Sequence, residues 1–88
     1  MIEVSFDERE LSVDAEGHAG SGEVGHDIIC AAVSILFQTF REVGAVGELE
    51  LGTAHLRLPD GVDEAYYQFL VAGITMLAEN FPDFIQIL

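Results

Sequence analysis

Ile2-Glu3-Val4-Ser5-Phe6 alternates apolar and polar side chains, the two-residue period of a half-buried strand. Asp7-Glu8-Arg9-Glu10 is a charged turn, and Leu11-Ser12-Val13-Asp14-Ala15 alternates again, which predicts an antiparallel hairpin. A glycine-rich stretch follows, with Gly17, Gly20, Gly22 and Gly25 close together. From Asp27, a good helix N-cap, an apolar run continues to about Val43 before Gly44 stops it. Glu48-Leu49-Glu50-Leu51 and Ala54-His55-Leu56-Arg57-Leu58 alternate once more, either as one strand bulged near Gly52 or as two. Pro59-Asp60-Gly61 is turn chemistry. A second helix is predicted from about Val62 to Asn80, ended by Phe81-Pro82, and Phe84-Ile85-Gln86-Ile87-Leu88 reads as a last strand.

The order is roughly β-β-α-β-α-β. It predicts an α+β fold, a two-layer sandwich with two helices on a mostly antiparallel sheet, in one domain over residues 1–88. Both predicted helices are apolar around more than one stripe. Ile28, Ile29, Val33, Ile35, Leu36, Phe37 and Phe40 crowd the first; Tyr66, Tyr67, Phe69, Leu70, Ile74, Met76 and Leu77 crowd the second. One sheet face cannot cover that circumference, so a homodimer is expected, with the surplus apolar surface at the interface.

Charge changes the picture more than length does. Sixteen Asp and Glu face only Arg9, Arg41 and Arg57, with no lysine, for a net charge of −13. Such a surface repels phosphate backbones, which disfavours direct nucleic-acid binding, and it attracts basic protein segments. Half the residues are hydrophobic, which argues against disorder. No basic-then-apolar leader and no uncharged apolar run of about 18 residues stands in the sequence, so a cytoplasmic chain off the membrane is expected. A single cysteine excludes an internal disulfide and a multi-cysteine zinc site.

Candidate chemistry gathers between Gly17 and Ser34. Gly20, Gly22 and Gly25 spell G-x-G-x-x-G, the spacing of a dinucleotide loop. In that fold, however, the helix begins within the motif, after the first strand of a parallel unit. Here the helix is expected to start after all three glycines and the preceding strand to pair in a hairpin, so the match is coincidental. Cys30 has two readings. Lone cysteines among apolar neighbours are more often small core residues. Yet with Asp27 as cap, Cys30 is the third helical residue, where free backbone N–H groups and the helix dipole favour a thiolate. A thiolate nucleophile needs a base, and His18 on the loop is able to fold back and supply one. His26 is the alternative base, although its place just before Asp27 suggests an exposed loop residue. His55 reads as an ordinary sheet residue, and His18, His26 and Cys30 have no recognised zinc spacing. Ser34, one turn beyond Cys30, either bonds a neighbour in the site or its own backbone.

Gly17-His18-Ala19-Gly20, the glycine-containing loop, and Asp27-Ile28-Ile29-Cys30-Ala31-Ala32-Val33-Ser34 together resemble the ribosomal-processing cysteine proteases, the Prp or YsxB-like family. Chain length, the hairpin-loop-helix order and the ending Phe81-Pro82-Asp83-Phe84-Ile85 extend the likeness over essentially the whole chain. The resemblance implies Cys30 as nucleophile and His18 as general base, with Asp27 and Ser34 in supporting positions, and no cofactor or metal. It implies a homodimer acting on a basic partner. That partner is the precursor of large-subunit ribosomal protein twenty-seven, which loses a short N-terminal extension. It also implies a loop between His18 and Cys30 that moves when substrate binds. Ser21 departs from the family pattern, which usually has a bulkier residue there, and so does His26 before the aspartate. A non-catalytic acidic module that docks on basic ribosomal proteins is the rival reading.

Overall fold

A computed structural model describes residues 1–17 and 26–88, with side chains in the second segment from Ile28 onward. Strands β1 (Ile2–Asp7) and β2 (Ser12–Glu16) form the predicted hairpin, with Val4 opposite Ala15 and Phe6 opposite Val13. Its turn is closed by the Asp7 carboxylate, whose Oδ1 accepts the Arg9 N–H at 3.0 Å and the Glu10 N–H at 3.4 Å. An aspartate opening a turn in this way replaces backbone hydrogen bonds that the ladder cannot supply.

Helix α1 (His26–Glu42) ends where Gly44 allows it. Gly44 sits at φ +133, its N–H donates to the Arg41 carbonyl at 3.1 Å, and the Ala45 N–H reaches back to the Phe40 carbonyl at 3.1 Å. That pair of bonds is the Schellman arrangement, which satisfies carbonyls the helix would otherwise leave open. The alternating segment after the helix is two strands, β3 (Val46–Glu50) and β4 (Thr53–Arg57), turning at Leu51-Gly52 with Gly52 at φ +89. The order is therefore β-β-α-β-β-α-β.

Helix α2 (Ala65–Asn80) starts three residues later than Val62. The N-cap is Glu64, the Asp63 carboxylate before it accepts the Ala65 N–H at 2.9 Å, and Val62 belongs to the preceding turn. That turn is closed by the Val62 N–H on the Pro59 carbonyl at 3.4 Å, with Gly61 at φ +93. The chain leaves α2 at Phe81 and runs into β5 (Ile85–Ile87), shorter than the expected strand by a residue at each end.

Among the described residues five strands lie in the order β3-β4-β2-β1-β5, antiparallel throughout except for β5, which runs parallel to β1. The fold is α+β, two helices on a mostly antiparallel sheet, as expected. Val4, Val13, Leu56 and Ile85 from the sheet meet Tyr67, Leu70 and Ile74 of α2 in the fully buried centre. Each such side chain stabilises the fold by about 1.5–3 kcal/mol relative to exposure. Ile29, Val33, Phe37 and Phe40 of α1 complete the core at helical spacing. Tyr67 anchors the layers: its ring meets Phe6 edge-on with centroids 6.0 Å apart, and its hydroxyl donates to the Ser12 carbonyl at 3.0 Å.

The other stripe of each helix stays exposed. Ile28 and Ile35 on α1, with Tyr66, Phe69 and Met76 on α2, stand in solvent, Phe69 with 71% of its surface free. Between them runs an apolar groove floored by Leu36 and Gly73, where the helices touch.

Candidate active site

Cys30 is half-buried on α1 and lines a cleft of about 100 Å³ between that helix and the β3–β4 end of the sheet. One wall is Cys30, Val33, Ser34 and Phe37, one helical face at spacings of three and four. The other is built from Leu49 through Ala54, around the β3–β4 turn, and Ala15 to Gly17 at the end of β2 closes the cleft. Its surface is mostly carbon, with Glu16, Glu50 and Thr53 among the polar residues at its border. A space of this size admits a side chain of a longer ligand.

The sequence-predicted residues fall unequally around this cleft. Cys30 and Ser34 share it, and the Ser34 hydroxyl accepts the Gln38 amide N–H at 2.8 Å, neither a backbone bond nor a bond to Cys30. His18 lies outside the described residues, as do Gly20, Gly22 and Gly25. Its chain neighbour Gly17, however, is a lining residue. Gly17 is held from two sides. Its N–H donates to the Gly52 carbonyl at 3.0 Å, and at φ +114 a Cβ would lie 2.2 Å from the Met1 carbonyl oxygen. Only glycine fits there.

Asp27 needs a correction. His26 is already helical, so Asp27 lies inside α1 instead of capping it, and Cys30 stands no earlier than the fifth helical residue, not the third. Cap signals locate a helix start only to within a residue or two. The amide of Cys30 is then beyond the four that a helix leaves without acceptors. His26 is helical and is not a loop residue.

His55 belongs to the other side of the sheet. Its neighbours Ala54 and Leu56 are buried under the helices, so alternation turns His55 outward. There its Nδ1 meets Asp14 Oδ1 at 2.6 Å, a cross-strand pair in register. The hydrogen bond to Asp14 raises the imidazole above its ordinary value of 6.5, burial opposes this, and the charges of Asp14, Glu48 and Glu16 add to the rise. Sequence reasoning had no means of naming Phe37, Leu49, Leu51 or Gly52 as cleft residues. Leu51, next to Gly52 in the sequence, stands wholly exposed in the turn.

A half-buried thiol lies on the wall of an apolar cleft, and Gly17, the residue before His18, lines the same cleft. The chain belongs to the family described as cysteine protease Prp, whose sequence profile matches residues 1–86. The crystal structure of SMU.848 from Streptococcus mutans is similar at 31% identity and a TM-score of 0.74, over 99% of this chain and 91% of that one. Two crystal structures of an essential ribosomal processing protease Prp from S. aureus share the fold. One, with a substrate peptide, is 23% identical with a TM-score of 0.75 over 100% of this chain and 98% of that one. The other, with a covalently linked product peptide, is 20% identical with a TM-score of 0.72 over 98% and 94%. No curated protein matches the sequence. Among the described residues no helix is long and apolar enough to cross a membrane.

Proposed function

We propose that the chain is a single peptidase unit over residues 1–88 that removes the N-terminal extension from the precursor of large-subunit ribosomal protein twenty-seven. Cys30 is its nucleophile and His18 its general base. The observation that carries this reading is the cleft itself: Cys30 on one wall and Gly17, bonded directly to His18, on another. Membership of the Prp family and the S. aureus structure with a covalently linked product peptide support it.

In this reading the Cys30 sulfur attacks the scissile carbonyl, forming a C–S bond and an oxyanion. Side chains on a helix lean toward its N-terminus, so the thiol is carried back toward the start of α1, and backbone amides there serve as the oxyanion donors in this reading. His18 takes the thiol proton and delivers it to the leaving amine as the C–N bond breaks. Water, deprotonated by the same histidine, then hydrolyses the thioester and frees the enzyme. Asp27 and Ser34 act only in support of these groups, and Ser34 is already bonded to Gln38. No metal or cofactor is needed for this sequence of steps.

The client is basic and the chain carries −13, which speeds encounter. The working unit is a symmetric homodimer. Ile35, Phe69 and Met76 line a continuous apolar groove between the helices, the surface that a second copy buries.

The test is incubation of the extended precursor with purified protein, followed by mass measurement of the products. One cut within the N-terminal extension is expected from the wild type, and none from Cys30→Ser or His18→Ala. An intact precursor, or cutting by Cys30→Ser, overturns the peptidase and leaves the acidic docking module as the better account.

A further inference from the structure

The sheet has two edges and they are not equivalent. β5 has only three residues, whereas β3 has five and, among the described residues, is paired on one side only, with β4. An unpaired edge presents a row of N–H and C=O groups to any extended chain, and proteins usually blunt it with proline, lysine or a covering element. β3, with the sequence Val46-Gly47-Glu48-Leu49-Glu50, has neither proline nor lysine. Gly47 sits in it at φ +136, where a Cβ would run into the His55 backbone of β4, so the glycine serves the close pairing on the inner side of β3.

This edge adjoins the cleft of Cys30. Leu49 is turned inward and lines that cleft opposite Cys30 and Phe37, while Glu48 and Glu50 are exposed. Alternation sorts the two faces of any strand laid beside β3 in the same way. We propose that the free edge of β3 binds the substrate as an added strand. The substrate is an extended peptide whose alternate side chains are apolar, entering the cleft beside Leu49, and basic, facing Glu48 and Glu50. Backbone hydrogen bonds to β3 then supply affinity and hold the chain straight past the thiol, and the side-chain alternation supplies specificity. Lysine or arginine in the outward positions meets two carboxylates on the strand, and an acidic residue there meets repulsion. The inference rests on the peptidase reading and adds the surface by which the substrate is held.

The probe is a synthetic peptide of the precursor's N-terminal extension and cleavage site, N-methylated at one backbone position at a time. Wild-type kcat/KM is expected to fall about five- to ten-fold at every second position, the loss of one backbone hydrogen bond each, and much less between them. Exchanging Glu48→Lys and Glu50→Lys together, both exposed, lowers kcat/KM for that peptide and raises it for a version with glutamates in the outward positions. With Cys30→Ser protein, the bound peptide slows hydrogen exchange at the β3 amides. Losses that are uniform along the peptide, or binding that leaves β3 exchange unchanged, overturn strand addition while the peptidase stands. An unmethylated peptide that wild-type protein neither binds nor cuts overturns the peptidase reading itself.

Discussion

Replacing Gly17 by alanine tests how firmly the backbone before His18 is held. The residue sits at φ +114, a conformation that side chains other than glycine's enter at about 1–3 kcal/mol. Its new Cβ would lie 2.2 Å from the Met1 carbonyl oxygen and 3.1 Å from Ile2 Cα. Those are backbone atoms with little freedom. The Ile2 N–H donates to the Phe84 carbonyl at 2.9 Å, and Ile2 sits in register with Ile85. On the other side, Gly17 itself is tied to Gly52. Relieving the overlap therefore shifts β1 or breaks the Gly17–Gly52 bond, at about another 1–3 kcal/mol. Gly61 separates the two effects. It has φ +93 but nothing within 4 Å of a built Cβ, so alanine there meets the strain alone. That strain is offset by about 0.4–1 kcal/mol from the stiffer unfolded chain. Urea unfolding of the two variants should place Gly17→Ala below Gly61→Ala by about 1–3 kcal/mol at unchanged m-value. In a domain of this size the same gap appears as about 4–8 °C of melting temperature per kcal/mol. Equal destabilisation of the two variants would refute the argument that Met1 and Ile2 form a fixed wall. Peptidase turnover should fall in Gly17→Ala beyond what the unfolded fraction explains, because a displacement of about 1 Å at a reacting group costs roughly 100-fold in rate.

The remaining outcomes concern the sheet, the core and the helix groove. An NMR titration of His55 should give a midpoint above 6.5 in the wild type, and Asp14→Asn should lower it, since the Asp14 hydrogen bond is the largest cause of the rise. Because the folded value is raised, the pair's stabilisation is fully present below about pH 6.5 and is lost as pH climbs through the folded value. Stability of wild type relative to Asp14→Asn should follow that course and not its reverse. Tyr67→Phe keeps the buried ring but removes the donor to the Ser12 carbonyl, a loss of about 1 kcal/mol in denaturant unfolding, whereas Tyr67→Ala should lose about 3–5 kcal/mol. Sedimentation at micromolar concentration should report twice the chain mass, and Ile35→Lys with Phe69→Lys should report the chain mass with the circular dichroism of the fold retained.

Periodicity made most of the elements legible, because each strand buries one face and each helix one stripe. Val4, Val13, Ala15, Ala54 and Leu56 are buried at the positions that alternation selects. Where the reading stayed open, the local signal was ambiguous. Leu51 continues the alternation of Leu49 as if a strand ran on, yet it is the exposed tip of a turn, and only Gly52 hints at the reversal. The parallel pairing of β5 with β1 left no mark in either segment. It joins residues more than eighty positions apart, as at Ile2 and Ile85, and is fixed by where α2 delivers the chain.

The candidate site divides along the same line between local and distant determinants. Cys30 and Ser34 share a helical face, so their proximity follows from a spacing of four. The opposing wall comes from residues about twenty positions further on, and no sequence period connects Cys30 with Leu49 or Ala54. What connects them is the sheet order. β4 lies between β3 and β2, which brings the Leu51-Gly52 turn to the end of β2, and there the Gly52 carbonyl receives Gly17. The same bond that closes the cleft thus fixes the point from which the chain departs toward His18. A glycine beside a histidine reads in sequence as flexibility. With a backbone wall on one side and a hydrogen bond on the other, Gly17 does the opposite. It permits an approach so close that the position is held.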